Sequence, residues 1–156
     1  MKRLFVIAGV LLVVASGVYS QDCTGSQTIM KRIYHPERLI PTDKGCVKVS
    51  GIVIAKLPQD DGDIHYRLKL DTGQGSGLIN KKNNAKRQHN FLIFEPICVG
   101  KIKDTPAAAK ACRNFRQKFS LPNKGDRVEV TGIHMLDNQH KWLEIHPVTM
   151  IKILPR

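Results

Sequence analysis

The sequence predicts an all-β fold with one helix, closed as a small five-stranded Greek-key barrel of order β-β-β-α-β-β. Three observations carry this. Five short runs rich in β-branched and aromatic residues are separated by Gly, Pro, Asn and Asp clusters. Only one stretch, between the third and fourth runs, spaces its apolar residues as a helix does. Gly51 interrupts the first run, where a bulge or sharp bend is expected.

The first strand is predicted over 47–57, and Pro58 to Asp63 turns the chain. The second strand, 64–70, alternates: Ile64, Tyr66, Leu68 and Leu70 form a core face, while Asp63, His65, Arg67 and Lys69 form the other. Residues 71–90 read as a long basic excursion, with at most a short strand at Leu78-Ile79. The third strand is 91–95, ended by Pro96. Asp104 and Thr105 before Pro106 read as a capped helix start. That helix should run to about Phe119, burying Ala108, Ala111, Cys112, Phe115 and Phe119. Strand four is predicted over 127–136. Strand five starts at Trp142, with Leu143 and Ile145 inward, and Trp142, Glu144 and His146 outward as far as Pro147, past which Val148 to Leu154 read as its continuation after a bend. Three strands, a helix and two strands is the order of an OB-fold.

The 156 residues suit one domain. Residues 1–20 read as a signal peptide: Met1-Lys2-Arg3 is cationic, 4–14 is apolar, and Val18 and Ser20 suit cleavage before Gln21. Residues 21–45 read as an irregular arm and 46–156 as the barrel domain. No later apolar stretch is long enough to span a membrane, so none is expected after cleavage. A secreted or periplasmic location follows. Four cysteines lie beyond the cleavage point, and an even count in an exported chain implies disulfides. Of three possible pairings, Cys23–Cys46 and Cys98–Cys112 join sequence neighbours and are expected.

The net charge of +12, which falls to +10 when Lys2 and Arg3 leave with the leader, favours a polyanion partner. Single-stranded nucleic acid or an anionic polysaccharide would meet Lys81, Lys82, Lys86 and Arg87, with Trp142 as an outward ring. A second constellation comprises Asp63, His65, Glu95, His140, Glu144 and His146. Residues i and i+2 of a strand share a face, so the Asp63/His65 and Glu144/His146 pairs each suit one ion, zinc or a comparable divalent metal. The same residues would serve as the solvated face of an antiparallel sheet, or as a hydrogen-bonded cluster. Nucleophilic catalysis is disfavoured. Paired cysteines leave no thiol, and Gly73-Gln74-Gly75-Ser76-Gly77 lies in a loop rather than on a strand-to-helix turn.

Asp61-Gly62-Asp63-Ile64-His65, Glu95-Pro96-Ile97-Cys98, Ala111-Cys112 with Phe115, Val130-Thr131-Gly132, His140 and Glu144-Ile145-His146-Pro147-Val148 together form a pattern. In it the chain resembles a widespread group of small secreted bacterial proteins with no assigned function, over about Cys46 to Ile151. Here the Gly-rich segment that the group carries before its Glu-x-His-Pro strand is shortened to Lys141-Trp142-Leu143. The resemblance implies this fold, export and the Cys98–Cys112 pairing; it supplies no reaction. The sequence thus leads to a secreted barrel that binds a polyanion. A metal-dependent hydrolase and a structural envelope protein are the rival readings.

Overall fold

The structure, a computed structural model, describes residues 23–80, 82–103 and 106–155. The expected leader, Lys81 and the Asp104-Thr105 cap lie outside the described residues. The predominant element is one five-stranded sheet that closes in a ring: β1 (Leu39–Pro58), β2 (Ile64–Leu70), β3 (Leu92–Phe94), β4 (Arg127–Asp137) and β5 (Trp142–Ile153). Their order around the ring is β1-β2-β3-β5-β4, and the β3–β5 pair alone is parallel. The ring is uneven, because β1 has 20 residues and β3 only 3. Short helices decorate it: α1 (Ser26–Met30), a 3-10 turn (Pro36–Arg38), α2 (Asn83–Gln88) and α3 (Pro106–Ala111).

The alternation read in β2 holds: Tyr66 and Leu68 are fully buried, and the Tyr66 ring stacks on Phe94 at 4.6 Å. They join Val53, Leu92, Val128, Val130, Ile145 and Val148 in the barrel interior. β1 pairs with β2 at one end and with β4 along most of its length, so it must bend between them. Gly51 sits in that bend, where a Cβ would collide with the Lys69 carbonyl oxygen.

Several boundaries differ from expectation. β1 begins at Leu39, so residues 39–45 of the expected arm are strand, and residues 39–41 pair with β4 as far as Asp137 before a register shift. The excursion contains α2 rather than a strand at Leu78-Ile79, and Leu78 packs into the core. α3 stops at Ala111, well short of Phe119. The Cys112 amide closes the last helical turn onto Ala108, and Asn114 adopts a left-handed conformation that a helix cannot continue. At Pro147 the expected continuation is present, and β5 runs on to Ile153. The strand passes the proline opposite a register shift between Gly132 and His134, and Gly132 pairs with Val148 beyond it.

Both expected disulfides form, Cys23–Cys46 and Cys98–Cys112, and no cysteine is free. The first ties α1 to β1. The second lies in a small apolar cluster of Ile33, Ile97 and Cys98, against which Ile29, Met30 and Phe115 pack. Among the described residues no helix is long and apolar enough to cross a membrane.

Candidate functional site

The site is built by register. Phe94 in β3 pairs with Tyr66 in β2 and with Ile145 in β5. All three turn inward and are fully buried. One residue further on, Glu95 therefore falls on the outer face between His65 and His146. Side-chain geometry agrees: His65 Nδ1 lies 2.6 Å from one Glu95 oxygen, and His146 Nδ1 lies 3.3 Å from the other. His146 Nδ1 also lies 3.1 Å from Glu144 Oε1, and the Trp142 indole N–H donates to Glu144 Oε2 at 2.7 Å. Asp63, just before β2, accepts a hydrogen bond from the Cys98 amide at 2.7 Å.

This outer face is not solvated. His65, Glu144 and His146 are 8%, 2% and 6% exposed, which excludes the reading of an ordinary water-facing sheet. The arm leading into β1 covers it, contributing Ile33, Tyr34 and Arg38 to a cleft of about 350 Å³ over the cluster. Covering a polar face has a consequence. Among the described residues, His65 Nε2 and His146 Nε2 are buried without a hydrogen-bond partner. Each such atom costs about 1–3 kcal/mol of lost hydration, and native folds leave few of them.

Charge is concentrated here. Asp61, Asp63, Glu95 and Glu144 line the same cleft as His65 and His146. Burial raises the Asp63 carboxyl, and Asp61 beside it adds to the effect, bringing it to about 8. Burial also raises Glu144, with the Glu95 charge in support. For His146 burial favours the neutral ring, but the Glu144 hydrogen bond and the charges of Glu95, Glu144 and Asp63 outweigh it, giving about 9. Burial opposes the Glu95 charge too. The His65 hydrogen bond and the positive His146 nonetheless hold it below the usual carboxylate range. Carboxylates crowded into one buried place take up protons or another cation.

One ligand atom each from Asp63, Glu95 and His146 lies within 4.8 Å of the other two. His65 supports Glu95 and Glu144 supports His146, as the outer partners of a metal site do. The Cys98 and Cys112 sulfurs also approach Asp63, but as a disulfide they offer no thiolate.

All six residues proposed from sequence line the cleft, but His140 is paired outside the ligand group. Its Nδ1 meets Asp137 at 2.7 Å, and its ring stacks on Trp142 at 4.2 Å. Trp142 is 9% exposed and turned into the cleft wall, so it is not an outward ring. Its neighbours Glu144 and His140 hold it there. Lys82, Lys86 and Arg87 are exposed on or beside α2 and do not line the cleft.

Sequence reasoning missed Asn84. It is fully buried, donates to the carbonyls of Leu143 and Phe91, and accepts from the Leu143 amide, pinning α2 to β5. It also missed Gln88, whose amide oxygen accepts from Arg67 Nε at 2.8 Å. Arg67 itself was legible, because it shares the parity of His65. No protein-family model matches the chain, and no curated protein does.

Proposed function

We propose that the protein is an exported, disulfide-stapled barrel of the OB type that binds a divalent cation, zinc or a similar metal, through Asp63, Glu95 and His146. The observation that carries this is the convergence of those three ligands within 4.8 Å in a buried, carboxylate-rich cleft. The unpartnered ring nitrogens of His65 and His146 are a second, independent sign that the cleft is built for a ligand. Mixed His and carboxylate donors suit zinc or manganese. With three protein ligands such a cation would keep a position for water, and the chemistry it would supply there is hydrolysis. The ring order, and a helix between β3 and β4, support the OB-type reading. Two disulfides and the leader-like residues 1–20 support export.

Thermal melts of purified, chelator-treated protein test the reading. Zinc or manganese at about 100 times its Kd adds about 2.7 kcal/mol of stability, so the midpoint should rise. A midpoint indifferent to both metals contradicts it.

A polyanion remains a second reading for a different surface. Exposed Lys82, Lys86 and Arg87 on a helix pinned by Asn84 favour it. Oligonucleotide or heparin binding should then weaken steeply with salt, and no binding at low salt removes the idea.

A further inference from the structure

We propose that the cleft takes a phosphate or phosphoester, with one oxygen on the cation and others on Arg67. This rests on the cation reading above. A bare ion does not need about 350 Å³; that volume is at the small end of pockets for organic ligands.

Arg67 is the residue that points to an anion. It follows His65 by two positions on β2, so it occupies the next row of the same face. That row reads Arg67, Ile93, Glu144, from the pairs Arg67↔Ile93 and Ile93↔Glu144. A fully buried isoleucine thus stands between the guanidinium and the nearest carboxylate strand. Among the described residues Arg67 makes no ion pair, although five carboxylates, Asp61, Asp63, Glu95, Asp137 and Glu144, line its cleft. It is held by a neutral group instead: Nε donates to Gln88 Oε1, and Gln88 is 4% exposed at the end of α2. Asn84, one turn earlier, locks that helix to β5.

The guanidinium is therefore oriented but not neutralised, and its terminal nitrogens keep their donors. A planar fork of this kind matches the oxygens of a phosphate group. Arg38, from the arm, lines the same cleft and adds a second positive charge.

The acidic floor makes the two ligands depend on each other. Without the cation, Asp61, Asp63, Glu95 and Glu144 repel an anion. With it, the anion bridges the cation and Arg67, and linkage requires that each ligand tighten the other by the same factor.

Isothermal titration of phenylphosphonate, a non-hydrolysable mimic, into manganese-loaded protein tests this, with manganese content read by EPR in the same samples. Binding should appear only in the loaded protein and fall at least about tenfold in Arg67→Met, the loss of a charge-assisted fork. Arg67→Lys keeps the charge and should recover only part of it. Equal melting midpoints for the variants and the parent would show that folding is not the cause. A loaded protein that does not bind phenylphosphonate, or binds it equally in Arg67→Met, overturns the proposal while leaving the cation reading intact. Absence of uptake of both manganese and zinc overturns both.

Discussion

Two buried histidines on neighbouring strands show what separates a structural histidine from one at a site. His134 in β4 and His146 in β5 are 0% and 6% exposed. His134 has both nitrogens satisfied by neutral oxygens: Nε2 faces the Leu78 carbonyl at 3.1 Å, and Nδ1 faces the Thr42 hydroxyl at 2.7 Å. The Leu78 carbonyl can only accept, so Nε2 carries the hydrogen and Nδ1 accepts. Burial lowers its pKa, keeping it neutral. His146 has one nitrogen between two carboxylates and the other without a partner, and its pKa is raised. The first arrangement is closed; the second lacks a partner and carries surplus negative charge around it.

Deleting each ring separates the two histidines most directly. His146→Ala should weaken zinc or manganese binding by more than about 100-fold, beyond what loss of an outer partner does. His134→Ala should leave that affinity unchanged while costing about 1–3 kcal/mol of stability, read by denaturant melts. Equal effects of the two on metal affinity would erase the distinction.

A smaller effect is expected at Glu144. Glu144→Gln keeps the Trp142 contact but no longer holds His146 with a charge, so metal affinity should fall about 10–100-fold with the fold intact. Titration calorimetry measures it.

Smaller still is the pH dependence of the metal-free protein, where the two histidines should act in opposite directions. The native state binds extra protons at His146 between its unfolded pKa of 6.5 and about 9, and Asp63 does the same from 3.8 to about 8. Their contributions are complete below the unfolded values and are lost as pH rises through the folded ones. The melting midpoint should therefore fall from pH 6.5 to 9, by roughly 4 °C per kcal/mol, and His146→Gln should flatten the fall. His134 contributes stability above 6.5 that is lost as pH drops, so His134→Gln should change only the acid side.

Much of this was legible in the sequence, and the reasons are local. Strict alternation placed β2 and the face of His65, and the neighbour rule paired the four cysteines. Parity also put Glu144 and His146 together on β5. Exposure was not legible. Alternation assigns a face but not its cover, and here the arm from Ile33 to Arg38 roofs the polar side. That roof is set by long-range contacts around the Cys98–Cys112 cluster, which no local pattern encodes. The same limit explains Trp142, whose side-chain direction depends on Glu144 and His140. The convergence of β2, β3 and β5 required the parallel β3–β5 register, a pairing between strands far apart in sequence.

Metal content measures most directly whether Asp63, Glu95 and His146 form a cation site. Protein purified without a metal-affinity step, loaded with zinc, dialysed against metal-free buffer and assayed by inductively coupled plasma mass spectrometry should retain about one zinc per chain, as a four-coordinate three-ligand site does. His146→Ala treated identically should retain almost none. Wild-type protein as empty as that variant, or a variant that keeps its zinc, would show that these three residues hold no cation.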